Sequence, residues 1–238
     1  MNISLVLPTY NRDTERLDRL LRTTEWQLAP FHEVVVVDGS TFHGTLADNR
    51  EACEYRARHL PVPLSEINFP LLYNVGIRAT SRDTDYIACT CVDMLFDPSF
   101  TLALSKLLGD GIEFTLSQGA ILPQFTDYTD FGTEGHWKYL ISIARRRFAL
   151  GHGVLCAHRT WWFHIRGFDE TFSGGLGVYD GDVRKRAQKH GLKMGHALYS
   201  DAPLLHQWHP KSPLKHHNRP RRDDDPQVIK NPRGWGEV

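Results

Sequence analysis

Three short runs constrain this chain more than anything else in it: ISLVLP at 3–8, EVVVVDGS at 33–40 and DYIACTCV at 85–92. Each is apolar or small at nearly every position, as a strand buried on both faces requires. Between them the pattern turns helical. Leu17, Leu20, Leu21, Thr24 and Leu28 recur at helix spacing on an otherwise charged segment. A helix is expected over 46–59, followed by the Pro-broken LPVPL at 60–64. LLYNVGIRA at 71–79 is helical again, and a further helix should follow Pro98 with Leu102, Leu104, Leu107 and Leu108 inside. Strand alternating with helix predicts an α/β protein with a mainly parallel central sheet and helices on both faces. Ligands of such sheets lie beyond the carboxyl ends of the strands. Asn11, Asp38 and Asp93 all lie just past such an end.

The second half is less regular. GAILPQ at 119–124 and HGVLCAH at 152–158 are strand-like, with a helix or long excursion between them. We expect one domain over 1–210, with halves 1–98 and 99–210. The stretch 211–238, rich in Pro, His, Arg and Asp, is expected to be a polar surface tail rather than a second domain. Of 238 residues, 41% are hydrophobic, enough for one large core. Twenty-eight basic residues balance 28 acidic ones, so no overall charge favours nucleic acid or an anionic membrane. No apolar stretch is long enough to span a bilayer. Met1 leads straight into a strand, so no signal peptide is expected. The four cysteines, Cys53, Cys89, Cys91 and Cys156, fall mostly in apolar runs. They are expected to be reduced thiols of a cytoplasmic protein.

Four segments, in order, carry a family resemblance. LPTYNR, VVVVDGS and NVGIRATSRDTDYIACTCVDM resemble the nucleotide-sugar-binding half of GT-A glycosyltransferases. The nearest likeness is to family 2 and to the galactosyl- and N-acetylgalactosaminyltransferase-like domains of chondroitin-type polymerases. GFDETFSGGLGVYDGDVRKRAQKHG at 167–191 extends it, since that family reads GFDE-x-F-x-G-W-G-x-E-D-x-D. The resemblance runs from Ile3 to His209. It implies a GT-A fold and transfer of a sugar from a nucleotide-sugar donor, UDP-linked, to an acceptor hydroxyl with inversion. The acceptor is a glycan, a protein, a small molecule or a modified base of viral DNA, the last placing the protein in a host cytoplasm.

The same resemblance implies roles for particular residues. Asp93 stands at the second Asp of the family's DxD signature and would ligate a divalent metal, Mn²⁺ or Mg²⁺, which neutralises the leaving diphosphate. Cys91 replaces the first Asp. His206, or less favourably His209, would bring a second ligand; in a strand His209 would face away from His206. Pro8, Thr9, Tyr10 and Val92 would line the donor, Asp38 would accept from uracil N3–H, and Asn74, Arg12 and Arg78 would complete the donor site. Asp180 would be the general base. Gly175, Leu176, Tyr179 and Asp182, with Trp137 as an aromatic platform, would meet the sugar or acceptor. Leu176 and Tyr179 replace the family's Trp and Glu.

Simpler roles stay open for each. Asp38 and Asp93 could cap turns, either arginine could be a solvated charge, and Asp180 or Asp182 could cap the helix they begin. Trp161 and Trp162 read as core. The Arg145–Arg147 run and HHNRPRR at 216–222 could contact nucleic-acid phosphates or be solvated faces. Cys91, Leu176 and Tyr179 also leave open a binder of nucleotide sugars that has lost the chemistry.

Overall fold

A computed structural model describes residues 1–62, 64–148, 153–210, 214, 218 and 227–238, with only the backbone of 146–148. Strand β1 (Ile3–Thr9) lies inside a seven-stranded sheet. It pairs in parallel with β2 (Glu33–Asp38) on one side and β4 (Tyr86–Cys89) on the other, and β3 (Arg58–Pro61) extends the sheet beyond β2. Past β4 comes β9 (Leu155–His158), antiparallel to both its neighbours, β4 and β6 (Phe114–Ser117); β10 (Met194–Ala197) closes that edge parallel to β6. A second sheet has four short strands in the order β5 (Met94–Phe96), β11 (Leu204–His206), β7 (Gly119–Ile121) and β8 (Arg145–Phe148).

Alternation along β1 divides the core. Ile3, Leu5 and Leu7 face α1 (Thr14–Glu25), through Leu17, Leu20 and Leu21, and α4 (Phe100–Gly109), through Phe100, Leu104 and Leu108. The α2 helix (His43–Cys53) adds Cys53 to this layer. Val6, joined by Val35 and Val37 of β2, faces the opposite layer. There it meets α3 (Phe69–Ala79), α6 (Arg159–His164) and α7 (Tyr179–Lys189). Ser4 shares that side of the strand and is fully buried; its hydroxyl is satisfied by Thr84 and Glu33. A third cluster joins the small sheet to α5 (Glu134–Ile143) through Leu95, Leu122, Trp137, Leu140 and Leu205. The expected mainly parallel sheet with helices on both faces is therefore the observed one.

Several boundaries differ from expectation, each for a local reason. Main-sheet pairing of the third run stops at Cys89, where the chain turns through Thr90–Asp93 and enters the second sheet at Met94. Asp93 thus lies on the crossing between two sheets rather than at the tip of one strand. The helix expected over 46–59 spans 43–53, because Tyr55 takes a left-handed φ of 64° and turns the chain into β3. FTLS at 114–117 forms a buried strand that its short run does not announce. Leu102 of α4 is exposed rather than buried.

The tail is only partly described, and residues 227–238 do not float as a polar surface segment. Trp235 is buried against Phe163, and Asn231 donates to the carbonyls of Arg166 and Phe168 and accepts from Glu170 N. Asn218 is fully buried and donates to Phe172 O. No helix among the described residues is long and apolar enough to cross a membrane.

Candidate active site

The site begins where β1 and β4 end side by side. Beyond β1, Asn11 adopts φ 49° and accepts from Thr41 N at 2.9 Å, while its own N–H donates to Ser40 Oγ at 2.8 Å. That clasp ties the ends of β1 and β2. Asp13 then caps α1 by accepting from Arg16 N. Arg12, just ahead of the cap, and Arg16, in the first turn of the helix, follow at a spacing of four.

Asp93 faces these arginines. Its carboxylate is almost fully buried and lies 3.7 Å from Arg12 Nη2, 3.9 Å from Arg16 Nε and 3.6 Å from His209 Nε2. None of these is short enough for a hydrogen bond, and Oδ1 has no hydrogen-bond partner at all. Gln207 fixes the backbone around it: its N–H donates to Asp93 O at 2.7 Å, its amide donates to Arg16 O, and its Oε1 accepts from Arg19 Nε at 2.7 Å. Cys91, Asp93 and His206 each offer a ligand atom, and all three atoms lie within 4.8 Å of one another. His209 joins them, contrary to the strand-face expectation. β11 ends at His206, so alternation does not carry on, and the two imidazole rings lie 5.2 Å apart.

The second wall is the start of α7. The SGGLGV segment winds through left-handed φ at Gly174, Gly177 and Val178, at 70°, 94° and 64°. For a β-branched residue such as Val178 this is a strained conformation, of the kind that clusters at functional loops. It delivers Tyr179 and Asp180 into the first turn of α7, a favourable place for a carboxylate. Tyr179 packs among Phe69, Tyr73 and Phe168. Burial pushes its phenol well up, Asp180, Cys91 and Asp93 push the same way, and Arg12 opposes them. Through Phe69, Tyr73 and Phe168, Tyr179 ties the first turn of α7 into the second core layer.

Other sequence candidates lie elsewhere. Asp38 is fully buried, with Oδ1 accepting from Ser40 N at 2.9 Å and Oδ2 from Asn49 and His59 at 2.8 and 3.2 Å, and it braces the loop. Asn74 is likewise sealed inside, bonded to the backbone of Phe168 and to Glu170. Arg78 sits on the last turn of α3, where it binds Trp235 O and Glu237. Trp137 is core, its indole donating to Asp97 at 2.8 Å. Asp182 pairs with the buried Arg186 at 2.8 Å instead of facing an acceptor. Trp161 and Trp162 are core, as read.

Pro8 and Thr9 are buried in β1 beside Val37 and Asp38. Val92 is buried with only its carbonyl turned to Gln207, and Tyr10 is partly buried against the second layer. Gly175 is buried and Leu176 half-buried, its N–H donating to Leu214 O. Arg145 is exposed on β8; the side chains of Arg146 and Arg147 and, Asn218 apart, residues 216–222 lie outside the described residues. Sequence reasoning missed Arg16 and Gln207. The first had a signal, its spacing four residues from Arg12; the second, between two histidines, had none.

No family model and no curated protein matches this sequence. Solved structures do. S. aureus TarS residues 1–349 in complex with UDP-GlcNAc superposes with a TM-score of 0.60 at 14% identity, over 90% of this chain and 60% of that one. TarS 1–349 alone gives 0.52 at 16% identity, over 89% and 59%. The catalytic domain of Drosophila β1,4-galactosyltransferase 7, in complex with xylobiose, gives 0.50 at 19% identity, over 82% and 64%. This is the GT-A fold. The chain spans about three fifths of the length of these structures, and the likeness does not single out the chondroitin-polymerase-like group.

Proposed function

We propose that this GT-A chain is a glycosyltransferase that moves a sugar from a UDP-sugar to an acceptor hydroxyl, with inversion. The observation that carries the reading is the cluster at the crossing between the two sheets: Arg12, Arg16 and His209 stand 3.6–3.9 Å from the buried Asp93, and the ligand atoms of Cys91, Asp93 and His206 lie within 4.8 Å of one another. The TarS complex supports the donor class, since the same fold there holds UDP-GlcNAc.

The chemistry asks for two things. A diphosphate must leave with its charge neutralised, and an acceptor hydroxyl must lose a proton as it attacks. Arg12 and Arg16 supply guanidinium forks suited to phosphate oxygens; their contacts to Asp93 are loose, at 3.7 and 3.9 Å, while Asp13 orients Arg16 at 2.6 Å. Asp93 and His206 fit a divalent cation: a buried carboxylate oxygen without a hydrogen bond beside an imidazole is a ready ligand pair. Such a cation, when bound, would neutralise charge on the leaving diphosphate. Asp180, in the first turn of α7, takes the acceptor proton. A single displacement, with Asp180 as the base for the attacking hydroxyl, inverts the anomeric centre.

The test uses the purified chain, a panel of UDP-sugars and a UDP-release assay. Asp180→Asn should retain UDP affinity and lose about 10²–10⁴ in rate, the usual contribution of a positioned base. Wild-type transfer by that variant would remove Asp180 from the reaction. Absence of UDP binding by the wild type would remove the whole reading.

A further inference from the structure

We infer that Cys91 is a metal ligand, and that Cys91, Asp93 and His206 form a sulfur–oxygen–nitrogen site selecting a zinc-class cation over manganese or magnesium. This rests on the metal-assisted reading above and changes its ligand set: a thiolate replaces the carboxylate of the family signature, and with it the class of metal.

Three observations converge. The ligand atoms of these residues lie within 4.8 Å of one another. Tetrahedral bonds of about 2.3 Å to sulfur and about 2.0–2.1 Å to nitrogen and oxygen place ligand atoms roughly 3.5 Å apart. The site therefore needs to contract by little more than 1 Å, within reach of side-chain rotation. The positions are also fixed by backbone. His206 is paired across the β5–β11 ladder with Met94, the residue after Asp93, so the strand register itself brings the imidazole to the carboxylate. Cys91 opens the turn that Asp93 ends, and Met94 N donates back to Cys91 O at 3.4 Å. Gln207 N, holding Asp93 O at 2.7 Å, braces the same corner.

Ligand type decides the metal. Magnesium and manganese favour all-oxygen sites, whereas thiolate with imidazole suits zinc and cobalt. Three protein ligands and one open position is the pattern of catalytic rather than structural zinc, and the open position would take a phosphate oxygen. The neighbouring cations do not block it. Arg12, Arg16 and His209 stand 3.6–3.9 Å from the carboxylate and make no hydrogen bond to it, Arg16 being paired instead with Asp13 at 2.6 Å. As the sulfur–metal bond forms, the thiol proton passes to solvent.

The experiment is metal titration of the metal-stripped chain, without donor, for wild type, Cys91→Ser and Asp93→Ala. Cobalt should give the wild type a near-ultraviolet thiolate-to-cobalt charge-transfer band, absent from Cys91→Ser. Calorimetry should show zinc binding more tightly than manganese. Cys91→Ser should weaken zinc by at least about 100-fold, since even residues behind the ligands are worth about 10–100-fold. Far-ultraviolet circular dichroism confirms that the variants fold. Cobalt binding without the band, yet sensitive to Asp93→Ala, would overturn sulfur ligation and leave the metal-assisted reading standing. A band that survives Cys91→Ser would trace the sulfur to another cysteine and overturn it too. No metal binding in any variant would overturn the site, while the UDP-release assay still judges the transferase reading.

Discussion

Replacing Asp182 with alanine should damage stability rather than chemistry, although Asp182 stands two residues from the proposed base. Its carboxylate lies 2.8 Å from Arg186 Nε, and the Arg186 side chain is only 2% exposed. Burial raises the Asp182 carboxyl and lowers the Arg186 guanidinium, so desolvation exceeds the attraction for both partners. Such a pair adds little as a pair, but removing one member leaves a buried charge alone, at about 3–5 kcal/mol. The lower end applies here. Asp182 is 17% exposed, and Arg186 keeps its bond to Gly167 O at 2.8 Å with longer ones to Ile165 and Val228. For a chain of this size about 3 kcal/mol corresponds to a fall in Tm of roughly 6–12 °C. Differential scanning calorimetry reads it directly, and UDP affinity below the transition should not change. A second variant, Asp182→Ala with Arg186→Met, should recover only part of the loss, because the Gly167 carbonyl then goes unbonded. A Tm for Asp182→Ala within about 1 °C of wild type would refute the reasoning, since that is how a solvated surface charge behaves.

Other outcomes follow from the same structure. Gly76→Ala would place a Cβ 2.4 Å from Val6 Cγ1 and 2.9 Å from Val37 Cγ2. It should cost about 1–3 kcal/mol in urea unfolding by prising α3 from the sheet, and an unchanged midpoint would deny the close packing. Burial raises the Asp38 carboxyl, but hydrogen bonds from His59, Ser40 and Asn49 outweigh it and hold the group below its ordinary 3.8. Its contribution to stability is thus present above pH 3.8 and lost as pH falls through the lower folded value. Asp38→Asn should flatten that acid limb, and a limb of the same slope would place the titration elsewhere. Trp235→Ala should lower stability by about 3–5 kcal/mol through loss of the packed C-terminal segment, with UDP affinity kept, because Trp235 packs in the second core layer against Phe163 and Asp93 is not among its partners. Calorimetry showing no change would mean that the segment does not hold the fold.

Much of this protein was legible from its residues alone. Unbroken apolar runs are what two-sided burial demands, so the parallel sheet and its two helix layers followed from composition along the chain. Asp93 stood out as a carboxylate closing a buried apolar run, while Asp180 was reached through the family resemblance of its glycine-rich segment. Tertiary structure decided which polar residues face one another. Asp38, Asn74 and Asp182 belong to the same motifs as Asp93 and Asp180, yet each is turned inward and bonded, and the direction of a side chain depends on packing that no local pattern encodes. Arg78 carries the right charge and is spent on the C-terminal segment, since a helix that returns across a parallel sheet takes its last turn away from the carboxyl ends of the strands. His206 meets Asp93 because a ladder 110 residues further on brings Leu204–His206 against Met94–Phe96. Spacing along a chain fixes what is near within one element; only the pairing of distant elements sets Cys91, Asp93 and His206 around a common point.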